Sequence, residues 1–198
     1  MTKPKEDIET EEIIKRTAKK LFFEEGKFNA TTQEIADAAG VNRTLINYYF
    51  RSRNNLFDII FNDAIKREEF LRHKLLSSDL PFNQKVELYI EESIEQAIEF
   101  PYLETYIVSK INEGLFYDDE RDWDGFYETF YKEFEIEVKK GNIHETDPVQ
   151  FILNIASLIS FPFAIRPLFQ RMMKLNDEAF DEIISQRKEV IMKTLFKK

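Results

Sequence analysis

Cysteine is absent from the 198-residue chain, and several other residues that mark particular classes of protein are scarce. Without cysteine there can be no disulfide framework, zinc finger or cysteine nucleophile. Only five glycines, six prolines and two histidines are present, and this composition favours helices over a β-sandwich or a disordered chain. No apolar run approaches the roughly 18 residues that a membrane span needs, and no signal peptide is visible. We therefore expect a helical, cytoplasmic protein.

Charge is distributed unevenly along the chain. The net charge of −9 argues against a protein that binds nucleic acid over its whole surface. Residues 1–53 nevertheless contain ten Lys and Arg against nine Asp and Glu, whereas residues 54–198 contain 18 against 28. Residues 38–57 contain three arginines and no acid. This pattern fits a protein that touches a polyanion with one small face of an acidic body.

Two short helices joined by a tight turn are predicted near the N-terminus. Thr31 or Thr32 can cap the first, which Gly40 ends. Asn42 can cap the second, which covers residues 43–49. Such a pair forms a helix-turn-helix unit.

The second of these helices has two chemically different sides. Leu45, Ile46 and Tyr49 form a core side at 100° per residue. The opposite side carries a guanidinium, a hydroxyl, an amide and a phenol, supplied by Arg43, Thr44, Asn47 and Tyr48. Groups of this kind read base edges and phosphates. The start of a recognition helix is the part that reaches base edges, so Arg43 and Thr44 are the predicted base contacts.

The remainder of the chain is also predicted to be helical. Helices are expected over about residues 6–25, 53–77, 81–100, 102–112, 126–140, 149–172 and 177–196, with an acidic loop at 113–125. The Asp147-Pro148 pair is a cap followed by a first-turn proline, and Pro162 should kink the helix that begins there. With the two short helices, the sequence predicts an all-α protein of about nine helices and no strand.

Residues 13–56 resemble the DNA-binding domain of TetR-family transcriptional regulators. The matching positions are Ile13, Ile14, Ala18, Leu21, Phe22, Gly26, Ala30, Thr31, Thr32, Ile35, Ala36, Ala39, Gly40, Val41, Ile46, Tyr48, Tyr49, Phe50, Arg53 and Leu56. Residues 47–53 are similar to the aromatic–Phe–x–x–Lys signature of the family. Asn47 stands where many members have tyrosine, and Arg53 stands where many have lysine, which keeps the phosphate charge but changes the donor geometry.

The resemblance implies a ligand-responsive DNA-binding regulator. It implies a helix-turn-helix domain over residues 1–52 and a helical ligand-binding and dimerisation domain over residues 53–198. The partners would be a double-stranded DNA operator, a second copy of the chain and a small effector that releases a repressor from a palindromic operator. The expected DNA-binding residues are Thr31, Thr32, Gln33, Arg43, Thr44, Asn47, Tyr48, Tyr49 and Arg53, with Lys27 as a weaker phosphate candidate. Plain capping by the threonines, packing by the tyrosines and a solvated arginine are the structural alternatives.

Phenylalanine is unusually frequent, with 19 residues, and 15 of them follow position 53. A core and a dimer interface would account for most of them. Small-molecule sites are mostly apolar, so some aromatics are expected to line an effector pocket. The pocket candidates are Phe100, Tyr102, Tyr106, Phe116, Trp123, Phe126, Tyr127, Phe130, Phe161 and Phe163. Few basic residues lie among these candidates, with Lys110 and Arg121 as the exceptions. We therefore expect a neutral or cationic apolar effector, with a fatty-acyl group as a further option.

The last two predicted helices are the candidates for the dimer interface. Their apolar stripes exceed what a lone surface helix would show, and a four-helix interface across a two-fold axis would bury them. The candidate residues are Phe151, Ile155, Leu158, Ile159, Ile183, Ile184 and Ile191. The alternative is that these stripes form only the core of a single chain.

Two other classes of function would require different features. A di-iron carboxylate enzyme would need paired Glu-x-x-His motifs, but the residues three before His73 and His144 are Phe70 and Gly141. No phosphate-binding glycine loop or nucleophile elbow is present, so we expect no enzyme, no metal and no cofactor. A regulator that acts mainly through protein contacts, with no small-molecule inducer, stays open as the alternative.

Overall fold

The computed structural model describes residues 5–112 and 123–197, and these residues form an all-α structure. In this range the only strand-like pairing is an isolated bridge between Ile143 and Phe196. The eleven α-helices in the described range are α1 Lys5–Lys19, α2 Thr32–Ala39, α3 Arg43–Phe50, α4 Arg53–Leu76, α5 Phe82–Glu99, α6 Leu103–Asn112, α7 Trp123–Lys139, α8 Pro148–Ala164, α9 Arg166–Met173, α10 Asp177–Ser185 and α11 Arg187–Leu195. A π-helical turn, Lys20–Glu24, extends α1. The all-α prediction is confirmed.

Two predicted helices are each divided in the structure, which explains the larger helix count. The predicted helix 149–172 becomes α8 and α9, with the break at Ile165. The predicted helix 177–196 becomes α10 and α11, with the break at Gln186. The start of α8 is as predicted, because the Asp147 side chain accepts from the backbone N–H groups of Val149 and Gln150.

The proline inside α8 has a specific hydrogen-bonding consequence. Pro162 has no N–H, so the carbonyl of Leu158 lacks its usual helical donor. The Nε of Arg187, at the start of α11, donates to that carbonyl over 3.1 Å. Partial burial lowers the pKa of the Arg187 guanidinium. A side chain from a neighbouring helix therefore supplies the bond that the proline removes.

The chain divides into two compact units. The first contains residues up to 68 together with 99–103, and the second contains residues 69–98 and those from 104 onward. The first half of α4 belongs to the N-terminal unit because Leu56, Phe57 and Ile60 are buried there, with Phe57 4.7 Å from Phe22 between ring centroids. The compact unit thus extends beyond the predicted boundary at 52/53. Where the functional domains divide stays a prediction.

Phenylalanine rings form the core of the second unit. Phe82, Phe130, Phe134 and Phe151 lie with ring centroids 5.1–6.5 Å apart. Rings at these distances pack edge-on or offset, which adds to the free energy of burying their apolar area. Much of the unusual phenylalanine content is therefore explained by the core.

One buried ion pair interrupts this apolar core. Lys85 on α5 is 4% exposed, and its Nζ lies 2.6 Å from Oε1 of Glu133 on α7. Removing one partner from a buried pair leaves an uncompensated charge, so the pair ties α5 to α7.

Helix length and hydropathy can be compared with a membrane span. Among the described residues no single helix is long and apolar enough to cross a membrane, and α8 and α9, which together would be, are bent by 69°.

Candidate DNA-binding surface

The N-terminus of α2 is fixed by a reciprocal pair of hydrogen bonds. The Thr31 hydroxyl accepts from the Glu34 backbone N–H over 3.2 Å, and Glu34 Oε2 accepts from the Thr31 N–H over 2.7 Å. The Thr31 N–H, together with the Thr31 hydroxyl, which donates to the same Oε2 over 2.8 Å, holds the pKa of the Glu34 carboxyl below its usual value. The helix ends at Gly40, whose φ of 66° is in the left-handed region. Both predicted ends of this helix are confirmed.

Helix α3 is held by a cap at one end and two buried side chains. Asn42 Oδ1 accepts from the N–H of Thr44 over 2.9 Å and from its hydroxyl over 2.7 Å. Ile46 and Phe50 are buried. The helix stops at Arg51, which adopts a φ of 63°. The predicted cap is therefore confirmed, and the tight turn into α4 is formed by a residue other than glycine.

The predicted polar side of α3 faces away from the core. Arg43, Thr44 and Asn47 are exposed, and Tyr48 is 72% exposed. Arg43 Nε donates to the Thr32 hydroxyl over 3.1 Å, which links the start of α3 to the start of α2. The structure thus brings both helix N-termini and the polar side of α3 onto one surface.

This helix-turn-helix is what the comparisons with known proteins detect. Residues 14–60 match the family model described as bacterial regulatory proteins of the tetR family. By this domain, the chain is similar to the TetR family. It is a DNA-binding transcriptional regulator. The proteins that this family model describes are regulators and not enzymes, as predicted for this chain. No curated protein sequence is similar enough to this chain to count as a relative.

Solved structures with the same fold extend over nearly the whole chain. HlyIIR, a hemolysin II transcriptional regulator, is 22% identical with a TM-score of 0.57, covering 97% of this chain and 99% of its own. FadR, a fatty acid degradation regulator from Bacillus halodurans, is 16% identical with a TM-score of 0.58 and 97% coverage of both chains. A TetR/AcrR regulator from Thermobifida fusca is 16% identical with a TM-score of 0.58, covering 92% and 96%. At these identities the likeness shows the fold alone.

The other predicted DNA contacts of this TetR-family domain have partners within the chain. Gln33 Nε2 donates to Asp37 over 2.7 Å, and Lys27 Nζ lies 2.8 Å from Glu25. Arg53 is half-buried, with its Nε on the Ala30 carbonyl at 3.1 Å. The Arg53 guanidinium also lies over the rings of Phe22 and Phe57, at 5.0 and 5.3 Å. These contacts give Arg53 a packing role, and its phosphate contact stays a prediction.

Tyr49 differs from its exposed neighbour Tyr48. It is half-buried, and its hydroxyl donates to the Asp7 carboxylate on α1 over 2.9 Å. Sequence reasoning placed Tyr49 on the core side of α3 but missed Asp7. Because the two residues are 42 positions apart, no local pattern could have revealed the contact.

The predicted pocket residues lie in different parts of the molecule. Phe100 and Tyr102 belong to the N-terminal unit, Phe130 and Phe163 are buried in the core of the second unit, and Phe161 is 60% exposed. Tyr106 and Tyr127 are half-buried, and Tyr127 stacks on Tyr131 with 5.7 Å between ring centroids. Phe116 and the side chains of Trp123 and Phe126 lie outside the described residues. The described candidates therefore belong to both compact units, and the effector pocket stays a prediction.

A cavity of about 760 Å³ does occur in the N-terminal unit. Its lining is largely charged, with Lys15, Arg16 and Lys19 from α1 and Asp63 from α4. Among the seven predicted pocket residues whose side chains the structure describes, only Phe100 lines it. This lining does not match the apolar pocket that the sequence analysis predicted.

The structure corrects the choice of dimer residues. Phe151, Ile155, Ile159, Ile184 and Ile191 are 0–6% exposed within the single chain, so they have almost no surface left for a partner to cover. Leu158 is half-buried, and Ile183 is 44% exposed. The alternative reading, a core within one chain, describes the five buried residues. Exposed apolar residues on the same helices, namely Val149, Leu153, Ile183 and Val190, offer a surface instead.

Proposed function

We propose that this regulator represses transcription by binding a palindromic operator as a homodimer and that a small apolar effector releases it. The exposed polar side of α3 carries the proposal: Arg43, Thr44, Asn47 and Tyr48 project from a helix whose other side is anchored by Ile46 and Phe50. A helix with this division can enter the major groove while remaining attached to its domain.

The proposed roles on DNA follow from position and chemistry. Arg43 and Thr44 at the start of α3 contact base edges, and a bidentate arginine pairs best with guanine. Asn47 reads adenine or binds a phosphate, and the Tyr48 hydroxyl binds a phosphate. Thr32 and Gln33, in the first turn of α2, would offer their backbone N–H groups to a phosphate, and Thr31 caps that turn. Tyr49 and Arg53 support this surface from behind and reach phosphates only if their internal contacts rearrange.

A homodimer supplies the second recognition helix. Two half-sites read in successive major grooves lie roughly 34–36 Å apart, which a two-fold symmetric dimer matches with an inverted repeat. The exposed apolar residues Leu153, Ile183 and Val190 support an interface on α8, α10 and α11. Each would be buried twice in a symmetric pair.

The corner between α5 and α6, residues 99–103, supports a mechanism by which an effector would change DNA binding. Residues 99–103 belong to the N-terminal unit, although the helices that they join continue into the second. The Tyr102 N–H donates to the Phe23 carbonyl over 3.1 Å, and Lys19 Nζ lies 3.9 Å from the centre of the Phe100 ring. An effector that moves α5 or α6 would therefore displace residues 99–103 and the parts of the N-terminal unit that they contact. It can shift the equilibrium only by its difference in affinity for the two states.

Selection of bound sequences from a random duplex pool, at two salt concentrations, tests this function. We expect an enriched inverted repeat and an affinity that falls steeply with salt. Arg43→Ala should change or abolish the enriched motif, whereas Arg171→Ala, at an exposed arginine of α9, should leave it unchanged. A pool that is not enriched, even by protein unfolded and refolded to remove bound ligand, would contradict the proposal.

The alternative is a regulator that acts mainly through protein contacts without an inducer. Arg43→Ala and Tyr48→Ala would then leave regulation intact in cells, while the proposal requires both to relieve repression with the oligomer unchanged. A reporter gene behind the enriched operator distinguishes the two.

A further inference from the structure

The first turn of α1 contacts the recognition helix through a side-chain hydrogen bond. The Tyr49 hydroxyl donates to Asp7 Oδ1 over 2.9 Å. Thr10, about one turn further along α1, also hydrogen-bonds this hydroxyl. Burial, followed by the hydrogen bond to Asp7 and the charge of Asp7, raises the pKa of the Tyr49 phenol. The phenol therefore stays protonated, and two side chains of α1 hold it in place.

The Tyr49 ring in turn lies against Tyr48. The ring centroids are 4.9 Å apart, and the planes meet at 78°, an edge-to-face contact. Tyr48 is the most exposed aromatic on α3, at 72%, and an exposed side chain loses rotamer entropy when a ligand fixes it. A fixed Tyr49 ring limits the directions in which Tyr48 can point before DNA arrives. Part of the rotamer entropy that Tyr48 would lose on binding DNA is then already lost when the chain folds.

The negative charge of Asp7 is unfavourable beside a surface that is proposed to bind DNA. A carboxylate beside a surface that approaches phosphates weakens DNA binding by repulsion. An acid in the first turn of a helix also interacts favourably with the helix dipole, whereas exposed Glu9, two residues further along α1, has the same charge beyond that turn. The bond to Tyr49 is what distinguishes Asp7 from Glu9.

We propose that Asp7 is a positioning residue for DNA binding: it holds the Tyr49 ring against Tyr48, so that the Tyr48 hydroxyl is directed at a phosphate. This inference rests on the proposed phosphate contact of Tyr48. It assigns to an acidic residue of α1 a favourable part in binding a polyanion, through the acceptor oxygen rather than the charge.

Binding of the full-length chain to a labelled duplex that carries the enriched inverted repeat tests the inference. Fluorescence anisotropy at one salt concentration would compare Asp7→Ala, Asp7→Asn and the control Glu9→Ala, each with and without Tyr48→Phe. Asp7→Ala should weaken binding about threefold to tenfold, the value of one hydrogen bond. Asp7→Asn keeps an acceptor oxygen and should restore binding. Glu9→Ala should bind like the unmodified chain.

The Tyr48→Phe background separates positioning from a general effect on the fold. Once the Tyr48 hydroxyl is absent, Asp7→Ala should cause no further loss. An equal loss in both backgrounds, or an Asp7→Asn variant as weak as Asp7→Ala, would overturn the inference. If Tyr48→Phe is harmless while Arg43→Ala prevents binding, the inference fails and DNA binding stands. If the unmodified chain selects no duplex, the proposed function fails, and the inference fails with it.

Discussion

Gly26 shows how one residue can couple the backbone to a neighbouring ring. Its φ of 68° is in the left-handed region, and a Cβ added there would lie 3.0 Å from Cδ1 and Cε1 of Tyr102. Gly40 has a similar φ of 66°, but an added Cβ would meet nothing within 4 Å. Gly40→Ala thus measures backbone strain alone, about 1–2 kcal/mol. Gly26→Ala adds the displacement of a ring, about 1–3 kcal/mol more.

Urea unfolding of both variants tests this expectation through the free energy of unfolding. Gly26→Ala should be the less stable of the two, and adding Tyr102→Ala should remove the excess. Equal losses for the two glycine variants would mean that the Tyr102 ring moves aside at no cost, and that the contact does not constrain the corner between α5 and α6.

Residues whose role is local could be predicted from the sequence. Caps are predicted at Thr31 or Thr32, at Asn42 and at Asp147, and Thr31, Asn42 and Asp147 each accept the expected backbone N–H. The partners of Tyr49 and Arg53 could not be predicted in this way. Their contacts, with Asp7 and with the Ala30 carbonyl, join residues 42 and 23 positions apart and exist only after the helices have packed.

At the scale of the element, helix breaks were harder to predict than helix starts. Pro162 was expected to kink its helix, yet α8 continues through it to Ala164 and ends at Ile165. Pro167, at the start of α9, is the local signal that was overlooked, since proline is favoured in a first turn. At Gln186, between α10 and α11, neither glycine nor proline marks the break. That break has no signal in the local sequence.

The bond between Arg187 and the Leu158 carbonyl predicts a dependence between two helices. In the unmodified chain Arg187→Ala leaves a partly buried carbonyl without its side-chain donor, which should lower the free energy of unfolding by about 1–2 kcal/mol. With Pro162→Ala, the backbone N–H of position 162 can bond this carbonyl directly. Arg187→Ala should then cost less.

A double-mutant cycle in urea measures this dependence as the interaction free energy between positions 162 and 187. Arg171→Ala serves as the control, because Arg171 is an exposed arginine of α9. Strictly additive effects of Pro162→Ala and Arg187→Ala would show that Arg187 stabilises α11 by another route.

For the whole molecule, the sequence distinguished apolar from polar faces but not which apolar faces meet within one chain. Ile184 and Ile191 have the same amphipathic signal as a dimer residue, yet they are buried in the core of the single chain. The aromatics Phe100 and Tyr102 similarly look like pocket residues but belong to the N-terminal unit. The spacing of apolar residues predicts that one side of a helix will be buried. It does not identify what that side packs against, because this depends on the tertiary arrangement. The exposure of the polar side of α3 was predicted more fully, because that side needs no burying partner within the chain.

The corrected dimer surface leads to a prediction with a closely matched control. Ile183 on α10 is 44% exposed and Ile136 on α7 is 49% exposed, so both can be changed to glutamate without opening the core. Ile183→Glu should remove an apolar contact twice in a symmetric interface, about 3 kcal/mol in all, which weakens dimerisation roughly a hundredfold. Ile136→Glu should not affect dimerisation, and sedimentation velocity across a concentration series measures both.

Binding to the enriched duplex should follow the oligomeric state. A monomer engages one half-site and loses the gain from a second linked contact, so Ile183→Glu should also bind the inverted repeat more weakly. If Ile183→Glu remains dimeric, or Ile136→Glu dissociates as readily, the interface lies outside α10. If the unmodified chain is itself a monomer at every concentration, the proposed homodimer is refuted. Two recognition helices would then occupy one operator only where two monomers bind the DNA side by side.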